Sequence, residues 1–207
     1  IGFIIAPIFN AAGRLEDAKR AVELFIEKDH RVCSEIINEL LNNNTERKEI
    51  QEMILERALF KIENEKLFED SVLVVAEEGF HHGVIGIVAS KILDRYYKPT
   101  IIMEIKAEEG IATASCRSIE GFNMIEALNT MKELFVKYGG HAGAAGFSIK
   151  IENINEFSKR INEYAKENIP ESSLIKPVKL DITIPAYKIS YDFIDKISLL
   201  EPFGFGN

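Results

Sequence analysis

Three short stretches gather the residues best suited to hold an anion: F-H-H-G-V-I-G-I-V-A-S at 80–90, S-C-R-S at 115–118 and Y-G-G-H-A-G-A-A-G-F at 138–147. Between them they offer the guanidinium fork of Arg117, the hydroxyls of Ser115 and Ser118, and the imidazoles of His82 and His141. Gly139 and Gly140 add backbone amides that a ligand could approach closely, because no Cβ stands in the way. A planar fork, hydroxyls and exposed amides suit phosphate, and no lysine is needed. Arg14, in N-A-A-G-R-L at 10–15, is the first basic residue of the chain. Plainer readings stand beside these. A Gly-Gly-His can be a helix C-cap that leads into a buried strand with a satisfied loop histidine, and an arginine such as Arg14 ordinarily ends in a structural salt bridge. What favours an anion cradle is the recurrence of small residues around hydrogen-bond donors in three separate stretches.

Other chemistries lack their residues. No G-x-x-x-x-G-K-[ST] occurs, so there is no P-loop. Cys33 and Cys116 lie far apart, which supplies neither the close Cys/His pairs of a structural zinc site nor a disulfide framework, and fits a reducing cytosol. Carboxylates do not cluster near the three stretches as a two-metal hydrolase requires. The residues are equipped to bind a phosphodiester and hold it still, without an evident means of cutting it.

Charge and hydropathy narrow the field further. The net charge of −8 argues against a broad basic face that binds nucleic acid by counterion release. Residues 1–70 carry 10 basic and 15 acidic groups, and residues 71–170 carry 11 and 13, so a bound anion must be held by a few placed donors. The longest apolar run, V-L-V-V-A at 72–76, is far short of the roughly 20 residues that span a bilayer. The opening I-G-F-I-I-A-P-I-F-N has neither a Met nor a basic n-region and reads as a cut inside a longer protein rather than a signal peptide.

The elements that must position these groups follow from periodicity. Asn10 and Gly13 mark a turn, after which Ala18, Val22 and Phe25 predict an amphipathic helix to about Lys28. Val32, Ile36 and Leu40 predict a second helix, N-N-N-T at 42–45 breaks it, and a third helix of about 46–68 carries two apolar stripes, as a connecting strut would. V-L-V-V-A predicts a strand buried on both faces, hence an α/β layer. A helix over 84–96 follows, with Gly83 and Gly86 near its start, where another backbone or a ligand comes close. Strands over 100–104 and 111–116 place Arg117 and Ser118 at a strand end. Asn123 and Glu126 predict the cap of a helix over 124–137 that ends at Gly139. The strand 146–150, a helix opened by Asn153, a linker over 169–177 and an alternating strand over 178–184 complete the reading.

Taken in order, H-H-G-V-I-G-I-V-A-S, S-C-R-S and G-G-H-A-G-A-A-G, with N-A-A-G-R-L upstream and L-L-E-P-F-G-F-G-N at the end, resemble the RecJ-type exonucleases of the DHH/DHHA1 phosphoesterase superfamily. The resemblance covers essentially the whole chain, and its specificity lies in five motifs in one order. It implies an α/β fold in which long linking helices lead to a DHHA1 domain with a mixed sheet, followed by the start of an OB-fold barrel. The implied boundaries are a tail of the DHH domain over 1–28, linking helices over 29–69, the DHHA1 domain over 70–168, and a linker with the beginning of the OB-fold over 169–207.

The implied function is the nucleic-acid-binding part of a single-stranded-DNA-specific 5′→3′ exonuclease of DNA repair and recombination. Ser115 and Arg117 would anchor the leading phosphates, with Ser118, Gly139 and Gly140 beside them. His141 would reach the phosphate near the metal ions, Arg14 would line the same cleft, and His82 would steady the G-V-I-G loop. Mn²⁺ or Mg²⁺ would be held by the DHH domain, because the D-H-H signature is missing from these 207 residues; the chain by itself is then expected to hold no metal and to be inactive. Implied partners are single-stranded DNA, the DHH domain, the rest of the OB-fold, and a helicase or single-strand-binding protein, in the cytoplasm and away from membranes. Within the superfamily, phosphodiesterases of short RNA or cyclic dinucleotides share the R-S and G-G-H signals but lack the OB-fold. Outside catalysis, the DHHA1 appendage of alanyl-tRNA synthetase and a replication-scaffold relative are the alternatives.

Overall fold

The computed structural model describes residues 2, 4–15, 17–178, 180 and 182–204. Contacts divide the chain into two units, Ile1–Ile175 and Lys176–Asn207. In the first unit a five-stranded sheet carries the site. Its strands are β1 (Leu73–Glu78), β2 (Thr100–Lys106), β3 (Ile111–Arg117), β4 (Phe135–Gly140) and β5 (Ala144–Lys150), in the spatial order β1-β2-β3-β5-β4. β1 and β2 pair in parallel through a crossover helix, α4 (His82–Tyr96), and the other pairs are antiparallel.

Alternation along β3 decides which groups meet which layer. Ala112, Ala114 and Cys116 face a core closed by α5 (Met124–Asn129) and α6 (Ile154–Asn168), through Met124, Leu128, Phe157 and Ile161. Thr113, Ser115 and Arg117 face the other way, toward α4. On that side α4 joins α3 (His30–Asn64) over β1 and β2, burying Ile54, Ala58, Val84, Val88 and Ile102. Toward β4 the same face is open, and Thr113, Lys137, Gly139, Gly146 and Ser148 line a shallow groove of about 310 Å³. A larger groove of about 500 Å³ lies along α3 and β1, lined by Arg57, Phe60, Lys61 and Glu77. There Arg57 pairs with Glu77, and Lys61 Nζ donates to the Ala76 carbonyl at 3.1 Å, which blunts the outer edge of β1. That is a structural use of charge, away from the glycine stretches.

The helices differ from the periodicity reading in three places. Asn10 and Gly13 do not make a turn; they lie inside α1 (Ile5–Leu15), whose Ala11 and Ala12 are buried and which packs on α3. α2 (Lys19–Ile26) is a separate short helix. N-N-N-T does not break anything, for α3 runs unbroken through 35 residues from an Asp29 cap that accepts from the Arg31 amide at 2.8 Å. Helix propensity there is overridden by tertiary packing. Asn43, Asn44, Arg47 and Gln51 are buried, and Arg47 ties the turns together by donating to Asn44 Oδ1 at 2.8 Å and Gln51 Oε1 at 2.9 Å.

The third difference concerns the glycine stretch. The helix expected over 124–137 stops at Asn129, and Phe135–Gly140 forms the edge strand β4, so Gly139 and Gly140 are not a helix C-cap. Aromatic packing explains the switch: the Phe135 ring lies 4.7 Å from that of Phe147 and 5.6 Å from that of Phe157, contacts that a strand provides. The Asn123 cap does form, accepting from the Glu126 amide at 3.4 Å.

The second unit contains a helix, α7 (Tyr191–Ser198), capped by Ser190 Oγ, which accepts from the Phe193 amide at 3.2 Å. Among its described residues there is no strand. The alternating strand expected over 178–184 includes Lys179 and Asp181, which lie outside the described residues, as does the end of the terminal motif, 205–207.

Candidate nucleic-acid interface

The site is built where α4 begins. His81 caps this helix, its Nδ1 accepting from the Gly83 amide at 3.2 Å. A Cβ on Gly83 would sit 2.1 Å from the carbonyl oxygen of Arg14, so the end of α1 can press against α4 only because residue 83 is glycine. Arg14 Nη1 returns the contact, donating to the Gly83 carbonyl at 3.0 Å. Among the described residues Arg14 makes no ion pair.

One turn further along α4, a Cβ on Gly86 would lie 3.0 Å from Ser115 Oγ and 3.1 Å from Arg117 Nη2. Gly86 thus makes room for the guanidinium. Arg117 Nε donates to Ser90 Oγ at 3.2 Å, and its Nη1 donates to Ser115 Oγ at 3.2 Å and to the Cys116 carbonyl at 2.8 Å. Every one of these acceptors is neutral. They fix the plane of the fork and leave its positive charge for something else. Neighbouring Cys116 is wholly buried and its thiol pKa is pushed up by that burial, which makes it a packing residue and not a nucleophile.

The glycine turn is tied to the same strand end. Arg117 lies opposite Ala144 in the β3–β5 register, the Ser118 amide donates to the Gly143 carbonyl at 2.9 Å, and the Met124 amide donates to the Ala142 carbonyl at 3.0 Å. The His141 amide donates to the Ala144 carbonyl at 2.8 Å, closing the β4–β5 turn, and its ring is exposed. Gly140 has φ +148°, and a Cβ there would meet Ala145 Cα at 2.4 Å, so only glycine serves. Gly139 and Gly143 face open space.

Arg14 therefore touches the start of α4 at Gly83, Ser115 and Arg117 lie against it at Gly86, and the His141 turn is tied to the strand end that carries Arg117. Two expected contributors are placed otherwise. Ser118 Oγ donates to the Phe122 carbonyl at 2.7 Å and holds its own loop. His82 stacks on His81 with ring centroids 4.9 Å apart, and its Nδ1 is 3.6 Å from Glu104 Oε2, so the bond that steadies the G-V-I-G loop comes from His81. Sequence reasoning missed Ser90, which lies four residues after Gly86 and so on the same helix face, and Arg47, in the first turn of the helix expected over about 46–68. Among the described residues no group of three His, Cys, Asp or Glu side chains is placed to hold a metal ion, so these residues do not fit one. No helix among them is long and apolar enough to cross a membrane.

Residues 69–167, which carry this mixed sheet, the start of α4 and the glycine hairpin, match the DHHA1 domain family. Beyond that domain the likeness extends over the entire chain. All 207 residues align at 36% identity with the single-stranded-DNA-specific exonuclease RecJ of Bacillus subtilis, and at 31% with RecJ of Thermus thermophilus. The chain is thus homologous from end to end with part of the RecJ exonucleases. It spans 26% and 29% of the length of those two relatives. The crystal structure of Thermus thermophilus RecJ in complex with Mn²⁺ matches with a TM-score of 0.84 at 31% identity, covering 99% of this chain and 30% of that one. The corresponding complex with Mg²⁺ gives a TM-score of 0.81. The α/β expectation, with long helices leading to a DHHA1 domain that carries a mixed sheet, agrees with these matches.

Proposed function

We infer that the chain is the DNA-gripping portion of a RecJ-like, single-strand-specific 5′→3′ exonuclease that serves DNA repair and recombination. The observation that carries this reading is the meeting of Arg14 and Arg117 on successive turns of α4, each held by neutral acceptors and neither paired with a carboxylate among the described residues. Two oriented, unneutralised guanidiniums beside a serine hydroxyl suit the phosphates of a nucleic-acid strand. Ser115 and Arg117 take the leading phosphate, Arg14 lines the same cleft, and Gly139 and Gly140 let the strand approach the hairpin backbone. His141 reaches toward the scissile region from its exposed turn.

Hydrolysis in this reading needs Mn²⁺ or Mg²⁺ on the metal-bearing part of the DHH domain, of which residues 1–28 are only the tail, and the segment after Ile175 begins an OB-fold. A helicase or single-strand-binding protein supplies the DNA, in the cytoplasm. The division of labour has a direct test: the chain mixed with labelled single-stranded DNA and Mn²⁺ binds the strand and leaves it intact. Metal-dependent shortening of the label would overturn it. A chain that instead prefers tRNA or dinucleotides to single-stranded DNA would belong with the other DHHA1 functions.

A further inference from the structure

Arg47 is the most anomalous charged group in the first unit. It is only 9% exposed, its Nε is buried without a hydrogen-bond partner, and no carboxylate pairs with it among the described residues. A buried arginine normally sits against an acid, because removing its charge from water is costly unless an anion compensates. Among the described residues its acceptors are the amide oxygens of Asn44 and Gln51, which orient the fork without neutralising it. Burial pushes the Arg47 pKa below the usual arginine range, and the positive charge of Arg14 pushes it the same way. Two like charges, one buried and one exposed, favour an anion that can sit between them.

We propose that Arg47, together with Arg14, forms a second phosphate seat, which takes a backbone phosphodiester next to the one held by Arg117 and Ser115. The inference rests on the DNA-gripping reading above and extends it to a residue of the linking helix. Geometry supports a continuous path. Arg14 touches Gly83 and Arg117 touches Gly86, three residues and hence about 4.5 Å of helix rise apart. Arg14 is carried on α1, which packs along α3, while its own fork reaches the start of α4 beside Arg117, so α3 becomes one wall of the proposed path. Asn44 and Gln51 are positioning residues in this arrangement, since they act only through the Arg47 fork.

The experiment is the salt dependence of binding of a 5′-phosphorylated oligo-dT to the whole chain, read by fluorescence anisotropy, for the native sequence, Arg47→Gln, Arg47→Lys and the exposed neighbour Lys48→Gln. Arg47→Gln is expected to bind about 10-fold more weakly and to flatten the log–log salt slope by about 0.7, the share of one single-strand phosphate. Lys48→Gln should keep the native slope, and Arg47→Lys, which retains the charge, should keep it too. An Arg47→Gln variant as tight and as salt-sensitive as Lys48→Gln would show a purely structural arginine and overturn the proposal. If Arg47→Gln does not fold, Arg47→Met, which keeps the apolar stem and loses the charge, decides: a slope flattened by one phosphate supports the seat, and native affinity with a native slope contradicts it. Failure of the native chain to bind would overturn the DNA-gripping reading along with this one. Native binding that Arg117→Ala weakens and Arg47→Gln does not would overturn this inference alone.

Discussion

Arg117→Ala should weaken binding of a 5′-phosphorylated single strand by about 10- to 100-fold, the equivalent of one hydrogen-bonded charge at roughly 1.5–3 kcal/mol. The loss for the matching 5′-hydroxyl strand should be clearly smaller. The size follows from preorganisation. Three neutral acceptors already fix the guanidinium, so a phosphate that arrives meets a fork held in place, and little rotamer freedom is left to lose. Truncation to alanine removes this fork and leaves the hydroxyls of Ser90 and Ser115 without their donor. Paired titrations of the two oligonucleotides measure the difference, and equal losses would mean that Arg117 has no part in recognising the strand end.

Gly83→Ala should damage both stability and binding, although it removes no functional group. The new methyl would have to occupy space 2.1 Å from the Arg14 carbonyl oxygen and 3.0 Å from its carbonyl carbon, both of them backbone atoms that cannot swing aside. Either the end of α1 lifts off α4, or α4 shifts on the sheet. The expected destabilisation is roughly 2–4 kcal/mol, as for an overpacked core with some backbone displacement. Because Arg14 is carried on the displaced segment, affinity for single-stranded DNA should fall as well. Thermal denaturation beside anisotropy checks both effects; a variant with native melting temperature and native affinity would show that the Arg14–Gly83 contact is dispensable. For the melting measurement alone Gly139→Ala is the matching control, because a methyl there meets nothing within 4 Å.

Much of the site was legible from residue types alone, for a physical reason. Glycines at backbone contacts and hydroxyls around an arginine leave a compositional trace: Gly86 lies against Ser115 and Arg117, and Gly83 against Arg14. The strands V-L-V-V-A, T-I-I-M-E and I-A-T-A-S-C were also plain, since central strands are short and apolar or alternate strictly. What stayed hidden depends on tertiary packing. Three consecutive asparagines read as a break, yet burial against the neighbouring helix and the Arg47 ladder keep α3 helical through them. A helical spacing of Ile125, Leu128, Met131 and Phe135 masked the edge strand, because the aromatic cluster that draws Phe135 into the sheet comes from residues 147 and 157, far along the chain. Direction within a loop was likewise unreadable: Ser118 and His82 were expected to face the anion, and instead their side chains turn to Phe122 and to Glu104.

The account stands on Arg14 and Arg117 working as one anion-binding unit across α4, and a double-mutant cycle addresses that most directly. Affinity for a 5′-phosphorylated oligonucleotide is measured for the native chain, Arg14→Ala, Arg117→Ala and the double variant. If both arginines hold one strand in a shared cradle, the combined loss differs from the sum of the separate losses by about 0.5 kcal/mol or more. Losses that add without coupling, or an Arg14→Ala variant that binds as tightly as the native chain, would contradict it.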